Sequence, residues 1–307
     1  MTRADVLSQV AALRTKREPF VLATVVRAER PTSAKPGDCA LVLADGTVDG
    51  FVGGACAEST VRLESLRLLA AGESGLLRIT PRAGSETLEE GVRTVGNPCL
   101  SGGTLEIFLE PMIPPALVLV HGEAPVARAL VRVGTALDWD VRTVTDPAAP
   151  IPVDTAAVVV ASHGRDETPV LAAALKATVP YVALVASRRR AEGVRAELAA
   201  LGVPQEDLDR VHAPAGLDIG ARTAPEIALS VFAEIIGERP RVTGHACEAS
   251  HEHHATAEPE VAIDPVCGMQ VAITPTALSA QHTSETVYFC GSGCRRAFLD
   301  DPGRFRS

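Results

Sequence analysis

Val118-Leu-Val-His-Gly-Glu-Ala-Pro-Val-Ala127 decides the fold. An apolar, β-branched run meets a glycine, and a proline follows where a helix takes its first turn. That is the strand–turn–helix opening of a dinucleotide-binding unit. Gly122 permits the tight turn and Ala127 permits close helix packing, but Ala124 stands where the fingerprint wants its middle glycine. A Cβ there obstructs a pyrophosphate, and Glu123 adds negative charge, so tight NAD(P) binding is not expected. Asp146, at the end of the next strand, matches the acid that holds a ribose.

Downstream the pattern continues, with strands expected at 116–120, 141–145, 155–161 and 181–186 and helices at 126–137, 169–177, 188–201 and 225–236. Continuous apolar strands separated by helices predict a parallel sheet covered on both faces, a Rossmann-like domain over 116–237. Upstream, Val6, Leu7, Val10 and Leu13 recur at helical spacing, and Phe20–Ala28 reads as a buried strand. Cys39–Ala44 and Thr47–Val52 form a hairpin about Asp45-Gly46. A helix over Ser59–Ala71 ends at Gly72, and strands follow at 76–80 and 104–109. Residues 1–112 are thus an N-terminal α+β domain, closed by Pro111, Pro114 and Pro115. Residues 238–260 form a polar linker carrying His245, Cys247, His251, His253 and His254. The last stretch, 261–307, is too short for a good core and needs a staple. The overall class is α/β.

The formal net charge of −9 offers no excess of cations to neutralise phosphates, which excludes a general nucleic-acid binder. No apolar run reaches the roughly 18 residues of a membrane helix. The opening Met1-Thr2-Arg3-Ala4-Asp5 turns amphipathic and does not read as a secretory signal, so a cytoplasmic location without membrane contact is expected. Seven cysteines, an odd number, point to chemistry or metal rather than a disulfide frame.

Cys56 lies in a glycine-rich loop just before a helix that begins near Glu58, where the dipole and open N–H groups stabilise a thiolate. Gly53 and Gly54 let the backbone approach a ligand. Cys99, between Gly96 and Gly103, is a second cysteine of this kind and would face Cys56 across one pocket. Both fit equally a small buried thiol in a tight turn. Ser187, Arg188 and Arg189 open a helix after the fourth strand and suit an anion, or a solvated basic helix start. His163 would face the same crevice. Asp218 and Arg222 lie in a glycine-bracketed loop before a capping box of Thr223 and Glu226. Cys267, Cys290 and Cys294 have metal-ligand spacing. With His282 as fourth ligand they suit zinc, and alone they suit copper(I). Against this, Tyr288, Phe289, Phe298 and Phe305 supply an aromatic core that leaves the thiols idle.

Several strings resemble one family. Arg30-Pro-Thr-Ser-Ala-Lys-Pro-Gly37 and Gly53-Gly-Ala-Cys-Ala-Glu58 resemble the N-terminal domain of the xanthine dehydrogenase accessory factors (XdhC/CoxI). Ser187-Arg-Arg-Arg190, His212-Ala-Pro214 and Gly216-Leu-Asp-Ile-Gly-Ala-Arg-Thr223 resemble that family's Rossmann domain. The family pattern is Gly-Gly-Gly-Cys-x-Glu, from which Ala55 departs. Asp264-Pro-Val-Cys-Gly-Met269, Tyr288-Phe-Cys290 and Cys294 resemble a YHS domain, a small zinc-ribbon-like or treble-clef-like metal-binding module.

The resemblance implies a maturation factor, not itself an enzyme, that binds the molybdenum cofactor, assists its sulfuration and inserts it into a molybdenum hydroxylase. Xanthine dehydrogenase and carbon monoxide dehydrogenase are the implied clients. It also implies contact with the apo client's large subunit and a cysteine desulfurase, a homodimer, and zinc or copper at the C-terminal module. The competing readings are an NAD(P)-dependent oxidoreductase and a heavy-metal sensor or buffer. The favoured reading requires an open cavity beside Cys56 with room for a tricyclic, phosphorylated guest.

Overall fold

The computed structural model describes residues 3–81, 87–89, 91–97, 103–239, 259–283 and 285–305. Two compact units share the chain: Met1–Pro114 together with Pro240–Ser307, and Pro115–Arg239.

The first unit opens with α1 (Arg3–Lys16), β1 (Phe20–Ala28), β2 (Cys39–Leu43), β3 (Val48–Gly50), α2 (Ala55–Ala71), β4 (Gly75–Thr80), β5 (Thr87–Glu89), β6 (Val92–Gly96) and β7 (Leu105–Met112). The strands make one sheet in the order β3-β2-β1-β7-β4-β6-β5. Only β4 and β6 run parallel. Alternation along β1 and β2 sends Val21, Ala23, Ala40 and Val42 to the face where Val61 of α2 packs, and Phe20, Cys39 and Leu41 to the face of Val6 in α1. Gly72 closes α2 in the left-handed conformation, its N–H reaching Leu68 O at 2.8 Å.

The second unit runs β8 (Leu117–His121), α3 (Pro125–Ala136), β9 (Asp140–Val144), β10 (Thr155–Val160), α4 (Glu167–Lys176), β11 (Tyr181–Leu184), α5 (Arg188–Ala200), α6 (Gln205–Asp209), β12 (Val211–His212) and α7 (Ala224–Glu238). Its sheet is parallel throughout, in the order β12-β11-β10-β8-β9. Numbered within the unit this is 2-1-3-4-5, the flavodoxin-like order, with its switch point between β8 and β10. Two apolar layers flank it, one reaching Leu130 of α3 and Phe232 of α7, the other Leu171 of α4 and Leu198 of α5. Burial on both faces is why these strands lack polar alternation. Trp139 stands edge-on to Phe232, ring centroids 5.1 Å apart, under the Arg239 guanidinium at 3.9 Å.

The C-terminal segment returns to the first unit. It comprises β13 (Val261–Ile263), β14 (Gln270–Ala272), β15 (Leu278–His282), β16 (Glu285–Phe289) and α8 (Ser292–Asp300), then a short 3-10 turn over Pro302–Phe305. The strands form two antiparallel hairpins, β13–β14 and β15–β16. Phe298 packs against Phe289 and Phe305, at centroid distances of 5.3 and 6.4 Å. The segment docks on α2, where Arg67 donates to Gln270 Oε1 at 2.8 Å. No helix among the described residues is long and apolar enough to cross a membrane.

Candidate functional site

Gly53, in the loop between β3 and α2, has a φ of +139°, which lets the chain turn into the helix. Gly54 is the N-cap, and no side chain caps the helix. Ala55 and Cys56 therefore occupy the first turn, and Thr60 Oγ1 donates to Cys56 O at 3.1 Å. The half-buried Cys56 lines a cleft with Pro31, Thr32, Gly54, Asn97 and Gly103. The cleft is open but holds only about 70 Å³. A pocket that encloses a drug-sized ligand holds roughly 300–1,000 Å³. As it stands, the cleft admits the edge of a tricyclic guest and not the whole of it.

Gly53 and Glu58 do not line this cleft. Glu58 pairs along the helix with Arg62 at 2.9 Å, and Arg62 in turn donates to Gly46 O at 2.7 Å. Asn97 was not singled out from the sequence. It is buried, and its N–H donates to Thr80 O at 2.8 Å, which brings the end of β6 against β4 at the cleft wall. Cys39 is a core residue. Cys99 and the histidines of 238–258 lie outside the described residues.

A second cluster sits beside the first. Asp264, Cys267, Cys290 and Cys294 bring one ligand atom each within 4.8 Å of one another. Sγ of Cys290 lies 3.5 Å from that of Cys267 and 3.7 Å from that of Cys294. Cys267 comes from the turn between β13 and β14, Cys290 from the end of β16, and Cys294 from the first turn of α8. Asp264 organises them. It is fully buried, and its two oxygens accept from Val266 N at 2.9 Å and Cys290 N at 2.8 Å. Cys56 packs against this cluster. A Cβ placed on Gly291, the N-cap of α8, would lie 3.4 Å from Ala55 Cβ and 3.9 Å from Cys56 Sγ, so the N-termini of α2 and α8 meet here.

Hydrogen bonding to Cys290 holds the Cys267 thiol below its ordinary pKa. Cys290 is driven far up, chiefly as donor to Cys267 and then to Cys56. Burial, with the charges of Asp264 and Cys267, pushes Cys294 up to about 12. No disulfide joins the five described cysteines. His282, expected as the fourth ligand, stands apart from this set. Its ring is edge-on to Phe298 at 5.3 Å, and its Nε2 is buried without a hydrogen bond. It belongs to the aromatic core, and Asp264 takes the place beside the thiols.

In the second unit, the parallel strands deliver most candidates to one edge of the sheet. Gly122 follows β8, Asp146 follows β9, His163 follows β10, Ser187 to Arg189 follow β11, and Asp218 and Arg222 follow β12. Gly122 has a structural reason to be glycine: a Cβ there would meet Ala161 O at 2.4 Å. Asp146 is exposed and accepts from Ala148 N at 2.9 Å in an Asx turn. His163 is exposed, at a φ of +54°. Ser187 caps α5 by accepting from Arg190 N at 3.3 Å, and leaves Arg188 and Arg189 exposed at the helix start. Arg190 is tied to the buried Glu167 at 2.9 Å, and Glu167 also accepts from Gly164 N at 2.7 Å. Asp218 and Arg222 are exposed, with Arg222 N bonded to Glu226 at 2.8 Å. Glu234 carries no local sequence signal; it accepts from the Tyr181 hydroxyl and from Gly216 N at 2.7 Å, and so anchors the loop carrying Asp218.

Two family models match the chain. One describes the XdhC and CoxI family and covers residues 13–80, and the other describes the XdhC Rossmann domain and covers residues 118–235. Together they span more than half of the chain, and neither reaches the C-terminal segment. An uncharacterized Escherichia coli protein, YqeB, is 29% identical over 266 residues, which is 78% of this chain and 47% of YqeB. The chain thus spans about half the length of that relative. The molybdenum cofactor insertion chaperone PaoD of Escherichia coli is 26% identical over 272 residues, covering 74% of this chain and 86% of PaoD. A crystal structure described as a xanthine dehydrogenase from Bacillus halodurans is 16% identical, with a TM-score of 0.36 over 80% of this chain and 98% of the other.

Proposed function

Since the chain belongs to the XdhC and CoxI family, we propose that it is an accessory factor that holds the molybdenum cofactor and hands it to a molybdenum hydroxylase. The observation that carries the reading is Cys56 in the first turn of α2, opening onto a cleft floored by glycines. The likeness to a molybdenum cofactor insertion chaperone supports it. The residues present fit one edge of the cofactor. A Cβ on Gly54 would meet nothing within 4 Å, and no side chain caps the start of α2, which suits this helix start to an anionic or polar guest. Bound there, the cofactor supplies the metal–dithiolene centre on which the client depends. Cys56, Gly54, Asn97 and Thr32 would hold that edge.

The second unit, taken by itself, would offer an anion site of its own, in which Arg188 and Arg189 at the start of α5 suit a phosphate-bearing guest and Gly122, Asp146, His163, Ser187, Asp218 and Arg222 are the accompanying candidates. Cys56, with Cys99, is the thiol that would carry sulfur delivered by a cysteine desulfurase. The client is the apo large subunit of xanthine dehydrogenase or carbon monoxide dehydrogenase, met by a cytoplasmic homodimer. The C-terminal segment is proposed as a YHS-type, treble-clef-like module, in which Cys267, Cys290 and Cys294 bind zinc or copper.

The test is purification of the intact chain from cofactor-producing cells, with pterin and molybdenum measured on the same sample. One pterin per chain is expected, falling at least tenfold in Cys56→Ser. A chain free of pterin, from cells whose molybdoenzymes are loaded, overturns the reading. The thiol cluster of the C-terminal segment favours a second reading, a heavy-metal buffer or sensor, which predicts metal without pterin.

A further inference from the structure

Cys56 stands in two surroundings at once. It lines the cleft, and it packs against the three thiols of the C-terminal segment. We propose that Cys56, Cys267, Cys290 and Cys294 ligate one thiophilic cation, Zn²⁺ or Cu⁺, and that loading this site withdraws Cys56 from the cleft. The second half rests on the proposed function, and the first half does not.

Spacing is the first argument. Four thiolates around one ion, at metal–sulfur bonds of about 2.3 Å, stand about 3.8 Å apart in a tetrahedron. The two sulfur pairs at 3.5 and 3.7 Å need only small adjustment to match this. Ligand count is the second. A closed structural site wants four donors, the C-terminal segment brings three thiols beside the already bonded Asp264 carboxylate, and His282 is turned into the aromatic core. Cys56 is the remaining thiol in the same packed group.

Electrostatics is the third argument. Four thiolates carry more negative charge than Zn²⁺ or Cu⁺ cancels. The first turns of α2 and α8 converge on the cluster, and their N-terminal dipoles favour that excess. Asp264 is already engaged by two backbone N–H groups, which suits it to position Cys290 and the Cys267 turn rather than to bind the ion. Soft sulfur donors select d¹⁰ ions over hard ones. On binding, each metal–sulfur bond replaces a sulfur–hydrogen bond, and the proton leaves to water.

The consequence is a competition. While the ion is held, the Cys56 lone pair is committed to it, and the α8 N-terminus lies against Cys56 and Ala55. The small size of the cleft is then the mark of a closed arrangement.

The experiment uses the intact, reduced chain, loaded anaerobically with one equivalent of Zn²⁺ or of Cu⁺. X-ray absorption at the metal edge is expected to count four sulfurs for the wild type. In Cys56→Ser it should count three sulfurs and one lighter atom, with affinity in chelator competition lower by about tenfold or more. Alkylation of Cys56, read by mass spectrometry, should slow at least tenfold on loading. Either metal giving four sulfurs supports the site, and comparison of the two affinities identifies its ion. Three sulfurs or fewer with both metals overturns it, as does a Cys56→Ser chain that binds within twofold of wild type. The wild-type sulfur count and the alkylation rate need no variant, so a misfolded Cys56→Ser does not spare the proposal. A chain that shows four sulfurs but never carries pterin defeats the proposed function alone. Equal alkylation of Cys56 with and without metal defeats the competition alone.

Discussion

Replacing Gly122 by alanine tests whether this residue is glycine for the sake of the fold or of a ligand. Two costs follow from its surroundings. The residue sits at a φ of +115°, where an L side chain is strained by about 1–2 kcal/mol. The added Cβ would also lie 2.4 Å from Ala161 O and 2.8 Å from Ser162 Cα, against a comfortable separation of about 3.5 Å. Those atoms are backbone at the end of β10 and cannot swing aside, so about 1–3 kcal/mol of overpacking is added. The expected loss is about 2–5 kcal/mol. Gly164→Ala is the control, because its φ is +95° and a Cβ there meets nothing within 4 Å. It should lose only the backbone strain of about 1–2 kcal/mol. Trp139 is the chain's single tryptophan and is packed on Phe232 in the second unit, so its fluorescence in a urea titration reports this unit directly. Equal losses in the two variants, or a Gly122→Ala midpoint unchanged from wild type, would refute the steric argument.

Three further changes can be read with the same fluorescence. Arg190→Met leaves the buried Glu167 carboxylate without its cation. Arg190 is 42% exposed, so the loss should be about 1–2 kcal/mol rather than that of a wholly buried pair, and a loss above 4 would contradict it. Burial, then the hydrogen bond and charge of Glu234, drive the Tyr181 phenol far above its ordinary pKa. It stays protonated in the fold and ionises near pH 10 once unfolded, so this stability is full below about pH 10 and falls as pH rises beyond it. Tyr181→Phe should flatten that decline, and parallel profiles would exclude the mechanism. Thr223→Ala removes half of the capping box at the start of α7 and should cost about 1 kcal/mol, with no change at all counting against the cap.

Periodicity revealed the regular elements well. The strand Phe20–Ala28 matches the expected run at both ends, because its apolar and β-branched side chains meet two cores. The parallel sheet of the second unit was legible for the same reason. The start of α2 was placed near Glu58 and lies at Ala55, because Gly54 caps the helix without the side-chain signal that marks most helix starts. The strands Thr87–Glu89 and Val92–Gly96 were missed, since the first is exposed throughout and neither carries a buried apolar face. Asp264 was passed over because an aspartate before a proline reads as an ordinary turn residue. Only the fold reveals that its carboxylate is sealed and holds two backbone amides. The approach of Cys56 to Cys290 has no local signature, because the residues that meet come from opposite ends of the chain.

That long-range meeting has a consequence for biosynthesis. The glycine-rich loop and α2 leave the ribosome early, and the whole of the second unit must be made before Cys290 and Cys294 exist. Closing so large a loop is slow compared with forming the sheet around it. During that interval the nascent chain carries the Cys56 thiol at a helix start without the C-terminal thiols that pack against it in the fold. Translation itself therefore opens a period in which cargo, oxidant or metal can reach this atom before its cover arrives.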